Sequence, residues 1–109
     1  MNAPTRRQIQ VSEELMHAAG LFMARESNRE SLVTVTRADV SADLKNATIY
    51  LSVLPTEFEA RALDFAKRQR PEFRTYLKSH AHFKTLPFID FVLDYGEKNR
   101  QSVDGALAQ

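Results

Sequence analysis

The sequence predicts an α+β fold in which helices cover one face of a three-stranded mixed sheet. Three observations carry that reading. Residues 46–54 alternate strictly, with Ala47, Ile49, Leu51 and Val53 on one side and Thr48, Tyr50, Ser52 and Leu54 on the other. Period-two alternation is the mark of a half-buried strand. Residues 6–26 instead repeat Val11, Leu15, Ala18, Ala19 and Phe22 at helical spacing, which makes one apolar stripe on a helix. Pro55 and Pro71 punctuate the middle of the chain, where a strand and a helix must each give way because proline donates no backbone hydrogen bond.

Taken in order, the first helix opens at Thr5-Arg6-Arg7-Gln8, which has the form of a capping box. It runs from about residue 6 to about residue 26 and ends at Ser27-Asn28-Arg29. A strand follows at about 31–38, where Leu32 to Thr36 (LVTVT) alternates. It joins the strand at 46–54 through Arg37-Ala38-Asp39-Val40 and an Asp/Ser/Asn turn, giving an antiparallel pair. Thr56-Glu57-Phe58-Glu59 is a second capping box. It opens a helix to about residue 68 whose apolar side holds Phe58, Ala62, Leu63 and Phe65 or Ala66. Arg68-Gln69-Arg70-Pro71-Glu72 breaks that helix, and Pro71 suits the first turn of another. The next helix covers about 71–81 with Phe73, Tyr76 and Leu77 inward. The third strand is 88–93, with Ile89, Phe91 and Leu93 on one face and Phe88, Asp90 and Val92 on the other. A short helix is expected at about 98–108. The order is α-β-β-α-α-β, and a crossover through two helices permits a parallel pair. The face bearing Thr34, Thr36, Thr48, Tyr50 and Ser52 is polar enough to meet water or a partner.

A length of 109 residues fits one domain, with its core at about 6–95. Such a chain buries roughly two thirds of its unfolded surface, enough for a single core without staples. The absence of cysteine removes disulfides and thiolate chemistry and fits the cytoplasm. The first ten residues carry no signal-peptide stretch. The longest apolar run, residues 18–24, is far too short to span a bilayer. No membrane, cofactor or small-molecule substrate is expected, and nothing requires more than a monomer.

The net charge is only +1, but it is unevenly distributed. Residues 67–84 hold Lys67, Arg68, Arg70, Arg74, Lys78 and Lys84 against Glu72 alone, so this segment is +5 and the remainder −4. Such concentration is the footprint of a polyanion-binding face, although a charge run is also what a plain solvated helix surface shows. Candidate polyanion-binding residues are therefore Lys67, Arg68, Arg70, Arg74, Lys78, His82 and Lys84. Arg6 and Arg7 join them, because cations at a helix N-terminus oppose its dipole. Arg74 has a competing reading as a surface ion pair with Glu72 or Asp64. Asp43 lacks any base or nucleophile at fixed spacing and reads as a turn former. Tyr50 could stack on a base or pack under a loop or helix. His80-Ala81-His82 does not make a metal site: residues two apart on a helix diverge, and no cysteine or third histidine is near.

The residues resemble one family. Val33-Thr34-Val35-Thr36 leads to Val40-Ser41-x-Asp43-Leu44-x-x-Ala47-x-Ile49-Tyr50-x-Ser52. Phe73-Arg74 and Leu77 follow, then Leu86-Pro87-x-Ile89-x-Phe91-x-x-Asp94. These pieces, in this order and from the first helix to about Asp94, are similar to bacterial ribosome-binding factor A, and the order α-β-β-α-α-β is that of a type II KH-like domain. The resemblance implies a non-enzymatic assembly factor that binds the small ribosomal subunit and its rRNA during maturation or rRNA processing, without a cofactor. Arg74 falls on a basic position of the family.

The chain departs from the pattern at one corner. Its glycines, Gly20, Gly96 and Gly105, form no Gly-x-x-Gly phosphate clamp. Ala66 could supply the alanine of the family's Ala-x-Gly kink, but Arg68 stands where glycine is expected. The sequence therefore predicts a loop across Arg68 to Glu72, stopped by Pro71, instead of a tight kink.

Two other functions compete. A KH-like protein-interaction module, its basic face on an acidic partner other than rRNA, would explain the missing glycine loop; its binding would survive nuclease and lack a steep salt slope. A small phosphatase of the acylphosphatase kind needs a glycine-bearing anion loop with an arginine after the first strand. Arg37-Ala38-Asp39-Val40 has no glycine and places a carboxylate to repel phosphate.

Overall fold

A computed structural model describes residues 3–26, 31–80, 83 and 85–95. The element order is α1 (Arg6–Glu26), β1 (Leu32–Val40), β2 (Asn46–Leu54), a 3-10 turn (Thr56–Phe58), α2 (Glu59–Arg68), α3 (Arg70–His80) and β3 (Phe88–Leu93). The α-β-β-α-α-β order is as expected. The helix expected at about 98–108 lies outside the described residues, as does Ser27-Asn28-Arg29.

α1 begins with the capping box its sequence predicts. Gln8 N–H donates to Thr5 Oγ1 at 3.1 Å, and Thr5 N–H donates to Gln8 Oε1 at 2.8 Å. Two backbone donors that the first turn leaves without partners are satisfied reciprocally. Gln8 Nε2 also donates to the carbonyl of Val40 at 2.9 Å, which fastens the start of α1 to the end of β1. Gln8→Ala removes the two bonds made by the side chain, with Thr5 N–H and with the Val40 carbonyl, and keeps the backbone donation to Thr5 Oγ1. We expect a loss of about 1–2 kcal/mol and a Tm lower by about 4–8 °C or somewhat more, read from thermal melts. An unchanged melt would show that the Gln8 side chain contributes nothing here.

β1 runs to Val40, past the expected end, and Arg37-Ala38-Asp39-Val40 is strand instead of linker. The cause is a bulge. Val35 pairs with Leu51 but Arg37 pairs with Tyr50, so Thr36 is the extra residue. One inserted residue resets the alternation, which brings Ala38 and Val40 back onto the side of Val33 and Val35. The turn is confined to residues 41–45. Asp43 Oδ1 accepts from Ser41 Oγ at 2.6 Å and from Lys45 N–H at 3.0 Å, the turn-forming role expected of it. Leu44 takes a left-handed φ of 62° and its side chain packs on the core. The Asp43 carboxyl lies below the usual range because of its hydrogen bond from Ser41, then that from Lys45.

The sheet order is β1-β2-β3, with β1 and β2 antiparallel and β2 and β3 parallel. Val11, Leu15, Ala18, Ala19, Phe22 and Met23 of α1 meet Ala47, Ile49 and Leu51 of β2 and Ile89 and Phe91 of β3 in one core. Phe73 joins the layers, its ring centroid 5.1 Å from that of Phe22 and 5.8 Å from that of Phe91. All the helices therefore cover one face. Thr34, Thr36, Thr48, Tyr50 and Ser52 lie on the other, exposed or half-buried.

Two local expectations fail. The second capping box does not form, because a 3-10 turn closed by Phe58 N–H on the Pro55 carbonyl (3.1 Å) occupies residues 56–58. That delays α2 to Glu59, so Phe58 and not Thr56 precedes the helix, with no side-chain cap. Nor is there a loop across Arg68 to Glu72. α2 and α3 are separated by Gln69 alone, at φ −87°, ψ 2°. That conformation is open to any L-residue, so the turn needs no glycine. Gln69 N–H donates to the carbonyls of Phe65 and Ala66, and its own carbonyl accepts from Phe73 N–H at 2.8 Å. Hydrogen bonding thus passes across the kink, and Pro71 sits in the first turn of α3, where its missing N–H costs nothing.

Candidate nucleic-acid interface

The tight kink places cations on both sides of one groove. Lys67 and Arg68 end α2, Arg70 begins α3, and Arg74 follows one turn later. With Pro71, Phe88 and Ile89 they line a space of about 400 Å³ beside the edge strand β3. Arg74 Nη1 donates to the Pro87 carbonyl at 3.3 Å, which ties α3 to the entry of β3. Lys67 Nζ and Arg70 Nη1 both reach Asp90 Oδ1 at 3.1 Å, and Arg70 Nε donates to the Lys67 carbonyl at 3.1 Å. Arg68 Nε pairs with Asp64 Oδ2 at 3.1 Å, one turn back. The Phe88 ring, 61% exposed, lies 6.0 Å from the Arg70 guanidinium.

Burial acts to raise the Asp90 pKa. The hydrogen bonds from Lys67 and Phe91 N–H, and the charges of Lys67 and Arg70, together outweigh it and hold the carboxyl below its ordinary value. A depressed carboxyl contributes stability that is fully present above the unfolded pKa, about 3.9. That contribution is lost as the pH falls from there through the lower folded value.

A second groove, about 390 Å³, is lined by Arg7, Asp43, Leu44, Lys45, Thr85 and Leu86. Phe88 N–H donates to the Lys45 carbonyl at 2.7 Å. The two grooves therefore border the same approach to β3, residues 85–88, and cations lie along both.

Of the residues the sequence singles out, Lys67, Arg68, Arg70 and Arg74 converge on the first groove and Arg7 lines the second. Lys78 is exposed and extends the Arg70, Arg74 spacing along α3. Arg6 is exposed in the first turn of α1 and lines neither groove. His82 and Lys84 lie outside the described residues. Arg74 does not take up the ion pair proposed with Glu72 or Asp64; Asp64 holds Arg68 instead. Tyr50 is not a bare stacking platform, since the Arg37 guanidinium lies 4.0 Å above its ring and Arg37 also pairs with Asp39 at 3.3 Å. His80 stacks on Tyr76 at 4.1 Å. No group of three potential metal ligands occurs among the described residues.

Sequence reasoning missed Lys45, Phe88 and Asp90. Lys45 sits in a turn outside the basic segment. Phe88 could have been noticed as a large apolar residue at the outward phase of an edge strand, and Asp90 as a carboxylate two residues further on the same face.

Comparison with known proteins agrees with this architecture. The chain matches the sequence model of ribosome-binding factor A over residues 7–107. It is 31% identical over 110 residues to ribosome-binding factor A of Rhodospirillum rubrum, covering 96% of this chain and 67% of that protein. It is 33% identical over 93 residues to the Nitrobacter winogradskyi protein of the same name, covering 81% and 68%. The crystal structure of ribosome-binding factor A from Thermus thermophilus superposes with a TM-score of 0.70 at 18% identity, covering 79% of this chain and 94% of that one; at that identity it shows a shared fold. No helix among the described residues is long and apolar enough to cross a membrane. With the sequence model matched along nearly its whole length, the chain belongs to the ribosome-binding factor A family, whose members are non-catalytic, and is not an enzyme.

Proposed function

We propose that this protein is a cytoplasmic ribosome assembly factor that binds the small ribosomal subunit and its rRNA during maturation, as a monomer and without a cofactor. The observation that carries the reading is the groove between the α2–α3 kink and β3. Four cations line it together with an exposed phenylalanine, in a chain whose relatives are named for binding ribosomes. Phosphate oxygens supply affinity to such a surface, and an exposed aromatic ring accepts an unpaired base. Arg7, Lys45 and Lys78 extend the cationic track beyond the groove, so the contacted RNA runs from α3 across residues 85–88 toward the β1–β2 turn.

Co-sedimentation with ribosomal particles at stepped salt tests the reading. The protein should travel with free small subunits or their precursors at low salt and leave them as salt rises. Release should follow a log–log slope near −3, the value for about four phosphate contacts to unpaired RNA. Migration apart from every ribosomal fraction at low salt would overturn the reading. Co-migration that survives nuclease and raised salt would instead assign the basic face to an acidic protein partner.

A further inference from the structure

Asp90 is placed to decide what kind of polyanion the groove accepts. It lies on β3 opposite Thr48 of β2, and one of its oxygens gathers three donors: Lys67 Nζ at 3.1 Å, Arg70 Nη1 at 3.1 Å and Phe91 N–H at 2.9 Å. Arg70 is held a second time, through Nε, by the Lys67 carbonyl at 3.1 Å. The two side chains that flank the kink are thus fixed in direction by a single carboxylate, across 20 and 23 residues of sequence.

That arrangement has two physical consequences. The first concerns charge. Lys67 and Arg70 with Asp90 carry a net +1, so a ligand that offers charge alone meets half of what two free cations would present. The second concerns direction. An ammonium has three donors and a guanidinium five. Asp90 and the Lys67 carbonyl take one from Lys67 and two from Arg70, and the rest remain for a ligand in the groove. A ligand that can use directed hydrogen bonds, and can also lay a base on Phe88, loses little to Asp90. A polyanion without bases has no ring to lay on Phe88, and where its phosphates adjoin directly it brings more than one charge near Asp90, so it loses more.

The bland alternative is a surface brace. Exposed ion pairs contribute little to stability, and the Asp90 side chain is 38% exposed. The fold does not need this carboxylate for its core, which Phe91 and Ile89 supply from the same strand.

We infer that Asp90 is a selectivity-determining positioning residue of the groove: by holding Lys67 and Arg70 it lowers affinity for charge-only polyanions relative to single-stranded RNA. The inference rests on the RNA-binding reading of this groove.

The test compares the full-length wild type with Asp90→Asn and Asp90→Glu. Two probes are used at stepped salt: linear inorganic polyphosphate and a single-stranded RNA of about ten nucleotides. In Asp90→Asn, polyphosphate should bind about threefold tighter at low salt, the effect of deleting one like charge a few ångströms away in a solvated site. Its log–log salt slope should steepen by about 0.7, one further effective contact. RNA, whose phosphates are spaced apart by sugars, should gain less, so the RNA-to-polyphosphate affinity ratio should fall by about twofold, and Asp90→Glu, which keeps the charge, should restore both. A ratio that stays unchanged or rises in a folded Asp90→Asn protein overturns the proposal and leaves Asp90 a brace. Both probes are read with the protein alone, whereas the ribosomal reading is judged by co-sedimentation. Wild-type protein that travels with small subunits while the Asp90→Asn ratio does not move defeats only the inference about Asp90.

Discussion

Ile49→Asp should leave no folded protein. Ile49 is fully buried at the centre of the middle strand, level with Ala38 on β1 and Phe91 on β3. Loss of the aliphatic side chain alone costs about 2–5 kcal/mol at such a site. The carboxyl that replaces it has no partner there. Burying even its neutral form without a hydrogen bond adds about 2–7 kcal/mol, and the ionised form costs more. The sum reaches the whole stability of an ordinary domain, about 5–15 kcal/mol. The control is Ser52→Asp, three residues along the same strand but on the opposite, half-buried face. It should fold with a change of about 1 kcal/mol or less, because strand parity and not strand membership decides which side of the sheet receives the charge. Far-UV circular dichroism and thermal melts separate the two outcomes. A cooperative melt for Ile49→Asp would disprove the inward assignment of β2.

Parity also explains which parts of this fold are legible in the sequence. β2 and β3 keep unbroken alternation and α1 keeps an unbroken helical stripe, so each is found at its observed place. β1 is legible only as far as its bulge. With Thr36 extra, Arg37-Ala38-Asp39-Val40 runs out of phase with LVTVT and looks like linker, although Ala38 is buried in the core. The kink fails for a different reason. Arg68 in place of glycine predicts a loop only if the turn requires a positive φ, and Gln69 shows that it does not. Backbone conformation at one residue was the deciding fact, and composition carries no record of it.

The site divides in the same way. A run of cations is visible in any sequence, so Lys67, Arg68, Arg70 and Arg74 stand out. Their neutralisation is less visible. Asp64 is within one helical turn of Arg68 and could be paired by spacing, but Asp90 reaches Lys67 and Arg70 only because β3 returns beside the kink. The nominal +5 of residues 67–84 therefore overstates the field at the groove, since two carboxylates from outside that segment already answer three of its cations.

That distribution sets the outcome of reversing the charge. Arg68, Arg70 and Arg74 changed together to Glu should weaken binding to small subunits by at least about a hundredfold at moderate salt. The salt slope should shrink by about 2, three phosphate contacts being lost. The domain should remain folded. Arg68 is 68% exposed and Arg70 39%, and the severed ion pairs are of the exposed kind that contribute about 0–1 kcal/mol each. The single variants should rank by how far each cation is already engaged. Arg74→Glu should cost most, since Arg74 has only the Pro87 carbonyl as partner among the described residues. Arg70→Glu should come next, since Arg70 is half-answered by Asp90 and its reversal sets two carboxylates side by side. Arg68→Glu should cost least, because Asp64 already holds that guanidinium. Equal losses for all three would mean that only net charge matters to the ribosomal partner. A folded triple variant that still co-sediments would remove Arg68, Arg70 and Arg74 from the interface, and binding would then have to lie on other cations, such as Arg7 and Lys45 of the second groove, Arg6, Lys78 or Lys84.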